Sequence, residues 1–503
     1  MRRLIMDLKL SLFKRHPYFS FCLSVFILAF ISGRYGILDW DKEIYFNTVI
    51  KEGLLRENSL PAILWKIPNH LSHYPVFKAT HIFWAIPETM LFSPLSFTLY
   101  FLDPVRFQHL HALIFILLGF WAFLSLGKLL NFNREQSLLF EAGIFMSPMM
   151  IQHLAVGYSP WICLYIIPGV FYFLIRSDFV LDLLGLALIL SLCLLVGGMH
   201  PFVLFSALVS FWSLIYSIYT KNSKALIKGV GAIIVAVIVS VGRLAPSFVA
   251  FSGFQQELLT GYSIRKFLHY ALLPPWPWGE AGKHFTEAIA DNVAAWDGGL
   301  YWGPLLLVLF WLRPMKGRLE KSLLVSAGFF SIISFYDSWS LILKTLPAKL
   351  SATIVSAEKY PYRWMQMGYF LFLLLIVLCE KNWIQKIPKI FKRWRGALIT
   401  LPLCWSFFAW STVLLKNPNN YPRLSETSYQ SLRDSNLNFI DKLLVTKSFN
   451  DNDKNFLNLT YENEGSFFEF NSLIWRFLRN FSWISFFSLF GIFIHYSKKK
   501  VQN

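Results

Sequence analysis

The sequence predicts an all-α polytopic membrane protein of about twelve transmembrane helices, and three observations carry that expectation. The 503 residues are 55% hydrophobic and 18% aromatic, while charged residues are held to 15%. Apolar stretches near 20 residues recur along the chain, the length a helix needs to cross roughly 30 Å of hydrocarbon. The short connections that fall on alternate sides of these stretches are the basic ones, as orientation in a bilayer requires.

The first apolar run covers about Tyr18 to Ser32, behind "MRRLIMDLKLSLFKR", so this end is expected to be cytoplasmic. With no small-residue cleavage site after it, the run reads as a retained anchor. Further spans are expected near 109–130, 138–155, 160–175, 180–197, 201–219, 227–250, 299–312, 321–336, 362–379, 397–414 and 476–496. Alternation then puts "TKNSKALIK", "RPMKGRLEK", "KNWIQKIPKIFKRWR" and the final "SKKK" inside. The outer segments become 34–108, 251–298, 337–361 and 415–475.

The domain reading follows: a transmembrane core over 1–414, a polar outer loop or small lid over 415–475, and a last helix with a basic cytoplasmic tail over 476–503. The formal charge of +18 sits in short loops between apolar spans and not on one continuous face, which argues against nucleic acid as a partner. Cys22, Cys163, Cys193, Cys379 and Cys404 all fall inside expected spans and read as small core residues.

The first outer segment is too long for a plain connector. Within it "FWAIPETMLFSPLSFTLYF" (83–101) is apolar but broken by Pro87 and Pro94, so it predicts short interfacial helices. The same segment opens on "GILDWDKEIYFNTVIKEGLL" (36–55), which places Asp39 and Asp41 beside the membrane surface. Asp41 can cap a following amphipathic helix. Equally, a carboxylate there can act as a general base, or the pair can hold a divalent cation such as Mg or Mn.

Other residues carry two readings each. Arg243, near the outer end of its span, can meet a lipid phosphate, or instead snorkel or pair with Glu257. Arg265, Lys266 and His269 can grip a phosphate together or form a solvated helix face. Trp276 fits a sugar-stacking platform or an interfacial belt. Arg363, where the chain re-enters the membrane, fits phosphate contact or headgroup anchoring. His153 and His200 lie at outer turns, as substrate contacts or as satisfied polar residues.

"DWDKEIYFNTVIKEGLL" resembles the D-W-D-Q-x-x-x-Y opening of bacterial YfhO-like multi-pass proteins of the GT-C glycosyltransferase superfamily, with Lys42 in place of Gln. "PETMLFSPL" is similar to a P-Q-x-x-x-x-S-P signature, "FQHLHALI" to the start of a second span, and "QHLAVGYSPW" to a G-H and W-x-P region. "GGMHP" resembles a G-H-P turn and "EKYPYRWMQMGYF" an F-R-x-P-x-R segment. "AILWKIPN" departs from the usual P-L-W-N-P. The resemblance implies a GT-C-like core in a bacterial inner membrane, and the basic short loops put both termini in the cytoplasm. It further implies transfer of a sugar from a polyprenyl-phosphate carrier to a glycan, lipid or protein acceptor outside the cytoplasm. Asp41, or Asp39, would then be the base, and Arg243, Arg265, Lys266 and Arg363 the donor phosphate contacts. A lipid or polysaccharide transporter and a noncatalytic envelope-assembly scaffold remain competing classes.

Overall fold

The computed structural model describes residues 15–32, 90, 93–147, 159–245, 317–347, 361–379 and 473–502. These are mostly helical, and no strand occurs among them. In chain order the helices are α1 (Pro17–Ser32), α2 (Pro104–Leu129), α3 (Arg134–Phe145), α4 (Ile167–Ile175), α5 (Phe179–Leu195), α6 (Met199–Thr220), α7 (Lys224–Val239), α8 (Arg318–Ile333), α9 (Tyr336–Thr345), α10 (Trp364–Leu378) and α11 (Leu473–Gln502). Three 3₁₀ segments join them, Ser96–Tyr100, Ser159–Ile166 and Pro361–Arg363. The expected spans at 299–312 and 397–414, and the loop at 415–475, lie outside the described residues.

Two of the described helices, α2 and α6, are long and apolar enough to cross a membrane, and shorter apolar helices accompany them. Large apolar side chains also point outward in mid-helix, among them Leu117, Trp121 and Leu124 on α2, Ile234 and Ile238 on α7, and Ile484 and Phe487 on α11. Facing inward is one continuous apolar core to which every helix from α1 to α11 contributes.

Helix starts are fixed by local chemistry. Asp103 accepts the Arg106 amide at 2.9 Å and opens α2. Asn133 and Gln136 bond reciprocally at 2.8 and 2.9 Å, a capping box that starts α3. Asp178 accepts the Leu181 amide and starts α5. Pro168 has no N–H to offer and its ring crowds the preceding turn, which fits the change from 3₁₀ to α at Ile166–Ile167.

One helix start is capped from elsewhere in the chain. Glu141, fully buried on α3, accepts the Phe19 amide of α1 at 2.8 Å and contacts His16 Nδ1 at 3.0 Å. Phe19 stacks on Phe120 of α2 with centroids 3.6 Å apart, and the His16 ring meets Phe120 edge-on. The main acid inside an expected span thus serves a helix terminus. Close packing completes this corner: a Cβ on Gly119 of α2 would lie 2.2 Å from the Tyr165 carbonyl oxygen.

Short turns make successive helices antiparallel, so their ends gather at two poles. At the first pole Gln136 at the start of α3 donates to the Val377 carbonyl at the end of α10, 2.8 Å away. There too the Leu226 amide of α7 meets Ser217 of α6, and Lys500 near the end of α11 meets Asp178. Lys128, Arg134, Lys221, Lys224 and Lys498 to Lys500 lie at these helix ends, so we term it the basic pole. At the opposite pole Trp161, His200 and Arg363 come together, and the Gly242 amide after α7 donates to Ser482 of α11 at 2.8 Å.

Lys228 has a structural part that its place in the sequence does not reveal. It closes the basic stretch "TKNSKALIK", read as an orientation signal, yet it is only 4% exposed. Its Nζ lies 2.7, 3.1 and 2.8 Å from the carbonyls of Phe173, Leu174 and Arg176 and 3.3 Å from Asp182. The ammonium therefore caps the C-terminal end of α4, where the helix leaves carbonyls without partners.

Candidate functional site

The pole opposite the basic one carries the strongest candidate. Three segments far apart in sequence converge there on one indole, and each is placed by its local backbone. The 3₁₀ segment Ser159–Ile166 presents Trp161, the start of α6 presents His200, and the 3₁₀ turn Pro361–Arg363 presents Arg363.

The turn before α6 depends on its glycines. After Val196 the chain enters the left-handed region at Gly197, with φ 84°. The Gly198 amide then bonds the Cys193 carbonyl at 2.7 Å and the Gly197 amide the Leu194 carbonyl at 3.2 Å, the paired contacts of a Schellman motif. A Cβ on Gly198 would meet Cys163 Sγ at 2.8 Å, the Cys193 carbonyl oxygen at 2.9 Å and the Pro160 carbonyl oxygen at 3.2 Å. The missing side chain lets the turn lie against the segment that carries Trp161. Two residues on, the His200 ring stacks on Trp161 with centroids 5.8 Å apart and planes 12° from parallel.

Arg363 places its guanidinium carbon 4.9 Å from the Trp161 ring centroid, a cation–π contact. Both residues are buried, Trp161 at 4% and Arg363 at 7% exposure, whereas His200 is half-buried. Next in sequence, Trp364 contacts Trp339 of α9 at 5.4 Å between ring centroids. The Nε1 atoms of both indoles are buried without a hydrogen-bond partner. An indole N–H donates and does not accept, so Trp339 and Trp364 offer two fixed donors in an apolar surround. Such an arrangement suits an oxygen-rich, anionic ligand.

Comparison with known proteins assigns no family. No protein-family model matches the chain, and no curated protein or solved structure matches it either.

Of the residues singled out in the sequence, the structure brings His200 and Arg363 together on Trp161. Arg243 is buried at the same pole, in the helical residues 241–245 that follow α7, one residue from the Gly242 contact to α11. Asp39, Asp41, His153, Arg265, Lys266, His269 and Trp276 lie outside the described residues. Among the described residues no group of His, Cys, Asp or Glu could hold a metal ion, and the candidate divalent site at Asp39 and Asp41 is not among them.

Two of the resembling motifs do touch. Ser93 of "PETMLFSPL" lies 2.6 Å from His111 Nε2 of "FQHLHALI", both buried, and Ser93 Oγ also accepts the Leu95 amide. The pair fastens the end of the first outer segment to α2. Sequence reasoning did not nominate Trp161, Trp339 or Trp364 as site residues. The available signal was local: Trp364 follows Arg363 directly, and Trp161 follows the proline of "SPW".

Proposed function

We propose that the chain is a membrane glycosyltransferase of GT-C type, moving a sugar from a polyprenyl-phosphate carrier to an extracytoplasmic acceptor. The observation that supports this reading is the cluster of Trp161, His200, Arg363, Trp339 and Trp364, with its two unpartnered indole N–H groups, at the pole opposite the basic one. Under the positive-inside rule the basic pole is cytoplasmic, and the cluster then faces outward. In this reading Arg363 binds the carrier phosphate, assisted by Arg243, Arg265 and Lys266, and holds the charge that develops as the glycosidic bond breaks. Asp41, or Asp39, takes the proton of the acceptor hydroxyl. Asp39 and Asp41 would be the residues to hold a divalent cation, which would supply Lewis-acid stabilisation of negative charge.

A second reading, a transporter, draws on one observation, the buried Lys228–Asp182 ion pair between expected spans. That lysine is held by three carbonyls at the end of α4, which favours a fixed helix cap over a moving charge.

The test is release of prenyl phosphate from synthetic prenyl-phosphate sugars by the protein in liposomes. Arg363→Gln should lower transfer by roughly 10² or more, the scale for removing one preorganised donor, and Asp41→Asn should do the same while the protein stays folded. Transfer at the unaltered rate by Arg363→Gln would remove this site from the mechanism. Lipid translocation without prenyl phosphate release would favour the transporter.

A further inference from the structure

We infer that the basic pole holds a binding site for the phosphate headgroup of an anionic phospholipid, where the end of α11 meets the start of α5. The inference rests on the membrane reading above but is independent of catalysis.

The site is built around two carboxylates that are already shared. Asp178 Oδ2 contacts Lys500 Nζ and, at 3.2 Å, Arg176 Nη2. Asp182, fully buried, contacts Arg176 Nε at 3.3 Å and Lys228 Nζ at 3.3 Å. Lys498 and Lys499 adjoin Lys500, are exposed, and have no ion-pair partner among the described residues. Five cations therefore face two acids, and the surplus lies on the solvent side, where the Lys500 side chain is 59% exposed. Burial disfavours the charged form of Asp178, but hydrogen bonds from Lys500, the Leu181 amide and Arg176 outweigh it and hold the carboxyl below its ordinary range. Asp178 is thus an anion at neutral pH and competes with any incoming anion for Lys500.

Apolar neighbours decide which anion fits. Phe179 and Val180 at the start of α5, and Ile492 and Tyr496 on the last turns of α11, are large, apolar and exposed beside these cations. At this level α11 also packs on the end of α4 through Phe493 and Phe173, with ring centroids 5.9 Å apart. A phosphate that carries acyl chains covers both features at once, with lysines snorkelling to the headgroup. A soluble anion would leave the apolar flank bare.

The inference makes an unusual prediction, because Asp178 occupies the cation that the phosphate needs. Asp178→Asn should bind anionic lipid more tightly than the unaltered protein, while Lys498→Gln/Lys499→Gln/Lys500→Gln should bind it less. Each lysine at an anionic surface is worth a factor of about five, so the triple variant should lose at least tenfold of its preference for anionic over neutral lipid.

The experiment is native mass spectrometry of the full chain purified from bilayers of mixed phosphatidylglycerol and phosphatidylcholine, with each variant checked for monodispersity. The site is supported if the unaltered protein retains phosphatidylglycerol preferentially, the triple variant does not, and Asp178→Asn retains more. Equal retention by the triple variant, or weaker retention by Asp178→Asn, overturns it. So does competition by free glycerol phosphate at the concentration that saturates with lipid, which would mark a soluble-anion site. Loss of both lipids from every variant would instead count against the membrane reading itself.

Discussion

Gly198→Ala tests whether the turn before α6 is what brings His200 onto Trp161. The backbone at Gly198 has φ −81°, which alanine adopts without strain, so any cost comes from packing. The added methyl would meet Cys163 Sγ at 2.8 Å and the carbonyl oxygens of Cys193 and Pro160 at 2.9 and 3.2 Å. A thiol can shift, but the two carbonyls belong to the end of α5 and to the 3₁₀ segment that carries Trp161. Inserting a methyl into such a contact costs about 1–3 kcal/mol. Cys163→Ala in the same chain removes the sulfur and leaves the carbonyls, so it should recover only part of that loss. Unfolding equilibria in mixed micelles measure the stability term. Reaction of Cys163 with a small thiol reagent, on a background lacking the other cysteines, measures whether the segment has lifted. Unchanged stability with Cys163 still protected would refute the close approach. Full recovery by Cys163→Ala would show that the sulfur, and not the backbone, was the obstacle.

Two further substitutions probe polar groups away from this site. Glu141→Ala should cost about 2–3 kcal/mol by leaving the buried Phe19 amide without its acceptor, while Glu141→Gln, whose amide oxygen can still accept, should cost under about 1 kcal/mol. Similar losses in both, read from the same unfolding equilibria, would show that the negative charge matters more than the cap. Lys228→Met should destabilise by about 3–5 kcal/mol, since it leaves the α4 carbonyls unbonded and the buried Asp182 with Arg176 alone, and adding Asp182→Leu should restore part of that loss. Additive costs in the double variant would rule out coupling between the two.

The helical character of the chain was readable because span length and apolar composition are local properties. The expected runs at 201–219, 362–379 and 476–496 correspond to α6, α10 and α11 to within a few residues, apart from the basic tail that α11 continues into. What could not be read is which polar residue serves which helix. Glu141 caps a helix more than a hundred residues before it, and nothing in the local pattern around either segment records that pairing. Lys228 sits at the edge of a basic stretch, and only the packing of α7 on the end of α4 turns it from a surface charge into a buried cap. The Trp161 cluster was half legible for the same reason. His200 and Arg363 each stood out at a turn, but the indole that joins them comes from a third segment, and no periodicity links positions 161, 200 and 363.

At the basic pole two buried or half-buried cations spend their donors inside the fold, and at the opposite pole two indoles do not, a difference that bears on where chemistry takes place. At the basic pole the ammonium of Lys228 has four oxygen acceptors within 3.3 Å, and Arg176 is shared among Tyr172, Asp178 and Asp182. Those contacts hold α4, α5 and α7 together, and most of their donor capacity is used inside the fold. At the other pole the Trp339 and Trp364 N–H groups are buried with no acceptor, beside an arginine whose guanidinium lies over an indole face. A buried donor without an acceptor costs about 1–3 kcal/mol, and an alanine or phenylalanine in place of either tryptophan would avoid that cost. Other buried groups, such as the Trp212 and Trp483 N–H, are orphaned too, but Trp339 and Trp364 are set apart by their place beside Arg363 and Trp161, where a ligand could supply the missing partner. An acceptor-rich ligand such as a sugar phosphate recovers the cost on binding, which is why stability and function should trade at Trp339 and Trp364. Replacing either by Phe should leave the empty protein as stable or more so and weaken only the liganded state.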